Sequence, residues 1–184
     1  MAKKQPNSSG TSLRVIAVSI KRPASVPTTS RDGLANLELS IEVENVSAKA
    51  LYVWTSRRSY SYNNLTNVLT VYLAEPEEQL PANIKMLSDH AHTPAQAAVD
   101  ARSRVTIEVA VPASTRRFTP GKGLGQSFVE DPIGQIAQVE IHLQFAVVPI
   151  KSRVGENPSD YRKRLRAHGE VVTAEVTPTI EKEK

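Results

Sequence analysis

The sequence predicts an all-β protein: an antiparallel β-sandwich of about seven to nine strands with one short inserted helix near residues 158–167. Three observations predict this fold. Apolar and polar residues alternate with period two along several segments, as on strands with one solvated face. Stretches rich in Pro, Gly, Asn, Asp and Ser separate these segments and favour chain reversal. No run of helices lies between them, which argues against a parallel sheet because parallel strands need helical crossovers.

The first predicted strand covers residues 13–20 and follows a polar stretch, 1–12, that we expect to be a flexible tail. The second has the clearest alternation, because Leu37, Leu39, Ile41 and Val43 are separated by polar residues. Further strands are predicted at residues 50–56, 67–75, 84–87, 105–111, 139–147 and 170–177. We therefore expect one sandwich domain over residues 13–178, followed by a charged tail over 179–184.

The predicted helix has recognisable ends. Asn157 can cap it, Pro158 suits its first turn, and Gly169 suits its end. Tyr161 and Leu165, four residues apart, would form an apolar stripe against the sandwich. The basic residues of the helix would then face outward: Arg162, Lys163, Arg164 and Arg166.

The other insertion, residues 113–134, has no regular periodicity. Loops of this length are uncommon and tend to be either functional or disordered. We therefore expect a long loop here, and it carries two of the candidate cations, Arg116 and Arg117.

The stretch LELSIEVENVSAKALYV, residues 37–53, resembles a strand B, turn and strand C unit of the immunoglobulin and fibronectin type III sandwiches. ARSRVTIEVAVP, residues 101–112, is similar to a polar turn that leads into a strand ending at a proline. The chain departs from the immunoglobulin pattern because no cysteine pair flanks Trp54. The resemblance implies a fold and says little about activity, since such sandwiches host many functions.

Composition restricts the classes of function. The 23 basic and 19 acidic residues give a net charge of +4, and such a mixed surface favours solubility over long-range attraction of a polyanion. The absence of cysteine excludes disulfides, thiolate metal sites and cysteine nucleophiles. The amino terminus does not resemble a signal peptide, and no apolar run is long enough to span a bilayer. We expect a soluble cytoplasmic protein without membrane insertion.

The sequence does not predict an enzyme. The motif DHAH at residues 89–92 places two histidines two residues apart, but it lacks a third metal ligand. GKGLGQS at residues 121–127 has glycines and a lysine, but their order is not that of a phosphate-binding loop. We therefore predict no catalytic residue, no metal and no cofactor.

Aromatic residues are concentrated in one segment of the chain. Only nine of 184 residues are Phe, Trp or Tyr, and five of these are Tyr52, Trp54, Tyr60, Tyr62 and Tyr72. Alternation places Tyr52 and Trp54 on one face of their strand and Leu51 and Val53 on the other, and Trp54 is expected to lie in the core. Tyr60 and Tyr62 would share a face with Arg58 two residues earlier, and Tyr60 is expected to be the exposed ring. The alternative is a hairpin braced by cross-strand pairing with Tyr72.

The leading functional interpretation is a non-enzymatic protein–protein interaction or assembly module that docks to a partner, or to itself, through loops and a sheet edge. Tyr and Arg are enriched at interface hot spots. The alternative is a nucleic-acid-binding module that uses the arginine-rich loops and the basic helix. A third interpretation, a small-molecule or carbohydrate-binding sandwich, would require a concave aromatic site. The candidate partner-binding residues are Arg57, Arg58, Tyr60, Tyr62, Arg116, Arg117, Arg162, Lys163 and Arg166.

Overall fold

The computed structural model describes residues 12–22, 36–74, 85–86, 95–119 and 127–181. These residues form thirteen strands and one helix, which confirms the all-β fold with a short helix near residues 158–167, although the strands outnumber the seven to nine that were expected. The strands are β1 (Leu13–Lys21), β2 (Asn36–Asn45), β3 (Leu51–Trp54), β4 (Ser59–Asn63), β5 (Val68–Leu73), β6 (Lys85–Met86), β7 (Gln96–Val99), β8 (Arg104–Pro112), β9 (Ser114–Thr119), β10 (Ser127–Pro132), β11 (Gln138–Ala146), β12 (Glu170–Val176) and β13 (Thr179–Glu181). The helix is α1 (Pro158–His168).

One sheet, the β2 sheet, has the strand order β13-β1-β2-β8. β2 is antiparallel to both of its neighbours, and the register of β1 against β2 shifts between Val15 and Ala17. Ile16 is therefore the extra residue of a β-bulge and is left exposed. This bulge interrupts the alternation that a regular strand over residues 13–20 would have.

The other main sheet, the β11 sheet, has the order β6-β4-β5-β11-β3-β7, and β12 also pairs with β11. β5 and β12 pair with the same stretch of β11, so they lie on its opposite edges. β5 runs parallel to β11, and β1 runs parallel to β13. The sandwich is therefore mixed, and the prediction of a wholly antiparallel sandwich is wrong. Between β5 and β11 the chain passes through the other sheet as β8, and it then returns in the direction of β5.

The main core lies between the two sheets and consists of the apolar half of each alternating strand. In β2, Leu37, Leu39, Ile41 and Val43 are at most 1% exposed. Their counterparts on β11 are Val139, Ile141, Leu143 and Phe145, which are equally buried. The alternation predicted for both strands is confirmed. Burial of these side chains on two facing sheets is the main source of stability of the sandwich.

A second, smaller core lies on the outer face of the β11 sheet, under α1. Trp54 and Ala146 project from the sheet and pack against Tyr161 and Leu165 of the helix and against Ile150. The apolar stripe of the helix is confirmed. Trp54 is buried as predicted, but under the helix, because the other face of β3 is the one that enters the main core. The Tyr161 hydroxyl donates a hydrogen bond to the Ile150 carbonyl at 3.0 Å.

Arg164 was expected to face solvent with the other helix cations, and this expectation is wrong. Its guanidinium makes a two-pronged ion pair with Glu156, with N–O distances of 2.9 and 2.6 Å. It also lies over the Tyr161 ring, 5.3 Å from the centroid. A planar guanidinium can bind a carboxylate through its N–H groups and stack on an aromatic ring at the same time. Arg164 therefore ties Glu156, in the segment that precedes α1, to the helix.

Several segments for which no strand was predicted are regular, among them β4 and β7. Residues 114–119 and 127–132 pair as a two-stranded antiparallel ribbon, so the expected 113–134 loop contains β9 and β10. Within the described residues the ribbon pairs with no other strand. A ribbon that is not part of a core-facing sheet needs no alternation of apolar residues, so its sequence did not predict strands. Residues 179–181 pair with β1 as β13, so the predicted boundary at residue 178 falls between β12 and β13.

α1, with 11 residues, is the only helix among the described residues, and neither its length nor its composition suits a membrane-spanning segment.

Candidate functional site

Tyr60 and Tyr62 lie on the core side of β4. Both rings are half-buried and pack against the main core. The Tyr60 hydroxyl donates to the Ser114 carbonyl at 2.7 Å, and the Tyr62 hydroxyl donates to the Gln135 carbonyl at 2.7 Å. The expectation that Tyr60 is an exposed ring is therefore wrong. Alternation on β4 places serines, and not tyrosines, on the outer face.

Tyr72 does not pair with Tyr60 or Tyr62. Its partner on β4 is Ser59, so the Tyr72 ring faces the opposite side of the sheet. There it stacks on His142, with ring centroids 4.5 Å apart and planes inclined by 17°. The hairpin braced by tyrosines of β4 and β5 is therefore also wrong.

The two arginines before β4 lie at its entrance. The Arg57 guanidinium lies 5.0 Å from the centroid of the Tyr60 ring, and burial lowers its pKa, opposed by the Tyr60 hydroxyl. The Arg58 backbone N–H donates to the Tyr72 carbonyl at 2.8 Å, which begins the pairing of β4 with β5. Of the predicted residues, Arg57 and Tyr60 are therefore brought together.

The other predicted cations are dispersed. Arg116 and Arg117 lie on β9, opposite Glu130 and Val129, and their side chains lie outside the described part of the structure. Arg162 and Arg166 are half-buried on α1. Lys163 is exposed there, with its ammonium 3.5 Å from a carboxylate oxygen of Asp160. The helix cations thus lie on the outer face of the β11 sheet, and Arg57 lies at the entrance of β4.

The two motifs weighed for metal and phosphate binding cannot be placed. Residues 89–92 lie outside the described residues, as does 121–126 of the glycine-rich stretch. Among the residues that the structure does describe, no three His, Asp or Glu side chains are grouped so that they could hold a metal ion.

A groove of about 570 Å³ crosses the part of the outer face that α1 leaves open. Its floor is a row of four residues that are Cα partners on adjacent strands: Ser61 on β4, Thr70 on β5, Glu140 on β11 and Glu175 on β12. Asn63, Val68 and Gln138 form a second row beside it. Ten of the eleven lining residues carry polar side chains. We call this site the outer-face groove.

Hydrogen bonds hold the carboxylates of the groove in place. Glu140 accepts a bond from the Thr70 hydroxyl at 3.2 Å and contacts His142 Nε2 at 2.9 Å. The other nitrogen of His142 lies 3.3 Å from the Thr173 hydroxyl. Glu175 accepts a bond from the Gln138 amide at 2.7 Å. The floor is therefore an ordered array of oxygen and nitrogen atoms.

The groove is negative in a chain whose net charge is positive. Glu140 and Glu175 line it, and neither lysine nor arginine is among its described lining residues. Partial burial raises the pKa of Tyr72, and the charge of Glu140 raises this pKa further. The Tyr72 hydroxyl therefore keeps its proton at neutral pH and can donate a hydrogen bond.

β12 forms an edge of the β11 sheet within the described residues, and β1 of the other sheet lies close to it without pairing. β12 pairs with β11 on one side and with no other described strand on the other. Val171 on this strand is 50% exposed, and Thr173 is exposed beside it. We call this feature the β12 edge. Unpaired N–H and C=O groups along such an edge can accept another strand.

Comparison with known proteins gives no relative: no family model matches the chain, and neither does any curated protein or solved structure. Sequence reasoning missed the groove, although its signal was present in the polar half of one alternating strand. Gln138, Glu140 and His142 are three polar residues at spacing two on β11.

Proposed function

We propose that this protein is a non-enzymatic interaction module that binds another protein chain by adding a strand at the β12 edge. The observation that carries the proposal is this seven-residue strand, paired on one side only within the described residues and exposed along most of its length. In strand addition, main-chain hydrogen bonds supply affinity and alternate side chains supply specificity. The module needs no catalytic group for this role.

The rigidity of β12 supports the proposal. Val172 and Val176 pack against the main core, so the strand is anchored and its edge is preorganised. Binding of a partner strand would therefore cost this protein little conformational entropy. The alternate residues Val171 and Thr173 face outward and could contact side chains of the added strand.

The placement of the cations favours a protein partner over nucleic acid. Arg164 is neutralised by Glu156, and the outer-face groove beside the helix is lined by two carboxylates. A nucleic acid laid across this face would meet negative charge next to the cations of α1. Kinship with the immunoglobulin and fibronectin type III sandwiches stays a prediction, and so does a cytoplasmic location.

The test replaces Val171 with lysine, since charged side chains protect natural sheet edges from pairing. The matched control is Val154→Lys, at a fully exposed valine in the turn before α1. Both variants should melt within about 0.5 kcal/mol of the wild type because both positions are exposed. Sedimentation velocity of the pure protein and recovery of partners from native extract are measured for all three proteins.

We expect Val171→Lys to lose association with the partner, or with a second copy, while Val154→Lys retains it. Equal association of all three proteins would refute strand addition at this edge. The same measurement at rising salt separates the nucleic-acid alternative, because phosphate contacts weaken steeply with salt.

A further inference from the structure

We infer that the outer-face groove is a binding site for an uncharged, hydroxyl-rich ligand of the saccharide class. This site is distinct from the strand addition proposed above, because it uses side chains on the face of the sheet and not backbone groups at its edge.

Charge excludes one class of ligand. Glu140 and Glu175 are Cα partners on neighbouring strands, where side chains lie about 5 Å apart. No described lysine or arginine lines the groove to offset them. A phosphate, sulfate or carboxylate ligand would be repelled by both glutamates, so the ligand is neutral or cationic.

The hydrogen-bonding groups favour a neutral ligand. Both carboxylates are already held by protein groups, Glu140 by Thr70 and His142 and Glu175 by Gln138. Apart from these two glutamates and Val68, every lining residue offers a hydroxyl, phenol or amide. Hydroxyl groups of a sugar both donate and accept, so they can bind an array that mixes carboxylate acceptors with neutral donors.

Part of this array is not hydrogen-bonded within the part of the chain that the structure describes. The side chains of Ser61, Asn64 and Thr66 make no hydrogen bond to other described residues. They lie along the β4 side of the groove, opposite Glu175 on the β12 side. A ligand across the row would therefore meet uncommitted polar groups at one end and a carboxylate at the other.

The size and walls of the groove also fit a saccharide. Four neighbouring strands give the row a length of about 14 Å, because strands lie about 4.8 Å apart. The volume of about 570 Å³ lies within the usual range of ligand sites. The stacked pair of Tyr72 and His142 adjoins the row and supplies an aromatic edge beside the polar floor.

The test is a titration of the ¹⁵N-labelled full chain with four neutral oligosaccharides, cellotetraose, maltotetraose, mannotetraose and N-acetylated chitotetraose, each to 20 mM. Spermidine is the cationic probe at the same concentration. The groove variant is Glu175→Ala, and the matched control is Glu108→Ala on the outer face of the other sheet. Both glutamates are exposed, so both variants should fold, and melting curves check this.

We expect at least one oligosaccharide to shift the amide signals of Ser61, Thr70, Glu140 and Glu175 together. Glu175→Ala should weaken that binding about tenfold, as loss of a charge-assisted hydrogen bond does, and Glu108→Ala should not. Three results would overturn the inference: no oligosaccharide shifts these signals, both variants weaken binding equally, or spermidine alone binds. Failure of this test leaves the association lost in Val171→Lys unaffected, so the two proposals fail separately.

Discussion

Replacing Tyr60 and Tyr62 by serine tests whether these rings stabilise the fold. Each ring is half-buried against the main core, and each hydroxyl donates to a backbone carbonyl at 2.7 Å. Full truncation of a buried aromatic costs about 3–5 kcal/mol, so a half-buried ring should contribute about 2 kcal/mol. The double variant should therefore lose roughly 4 kcal/mol of the free energy of unfolding, measured by urea denaturation.

A smaller change separates the hydroxyl from the ring. Tyr60→Phe keeps the ring and leaves the Ser114 carbonyl without its donor, at a cost of about 1 kcal/mol. The control is Leu65→Ser in the β4–β5 turn, where the side chain is 90% exposed and little stability should be lost. If the double serine variant were as stable as Leu65→Ser while binding to a partner fell, the rings would form an interaction face and their assignment to the core would be wrong.

Two further predictions concern polar contacts. Glu156→Gln tests the ion pair with Arg164. The Glu156 carboxylate accepts hydrogen bonds from the Arg164 side chain and from the Arg153 backbone N–H, and these bonds lower the pKa of Glu156 from 4.5 to about 2. Because the folded pKa is depressed, the pair stabilises the protein above pH 4.5, and the excess melting temperature of wild type over variant should vanish as pH falls towards 2; a constant difference would contradict this. Asn45→Ala should cost about 3 kcal/mol in urea denaturation, since the buried Asn45 amide nitrogen lies within 3.0 Å of the Lys49, Val99 and Asp100 carbonyls. Asn45→Asp, which keeps an oxygen but has no donor, should be similarly destabilised, and wild-type stability in either variant would refute the role of this amide.

The sequence predicted what depends on local periodicity. β2, β8 and β11 alternate cleanly because each has one face in the core and one outside it. The helix was predictable because its capping residues and the spacing of Tyr161 and Leu165 are local signals. Alternation placed Trp54 on the face of β3 opposite Val53, but it could not show that the helix, and not the other sheet, covers this face.

The sequence could not predict what depends on pairing between distant segments. Parallel pairing of β5 with β11 joins residues about 70 apart, and nothing local marks it. The facing of Tyr60 and Tyr62 could not be predicted because β4 has the sequence SYSYN, which has no aliphatic alternation to mark it as a strand or to identify its core face. The groove arises from four strands whose polar residues meet only when the sheet is assembled. Each of these strands by itself has only the pattern of a half-solvated strand.

The end of the helix determines where the groove and the edge lie. Gln144, buried on the outer face of β11, donates to the Leu165 carbonyl at 2.8 Å. A Cβ on Gly169 would lie 2.1 Å from the Gln144 amide nitrogen, so glycine permits this close approach. The chain then enters β12 at Glu170, opposite Phe145, and the helix covers no more of β11. His142, two residues before Gln144, is consequently left beside the open groove. β12 therefore supplies both the last residue of the groove floor, Glu175, and the unpaired edge. A chain added at β12 would extend the floor of the groove by one strand.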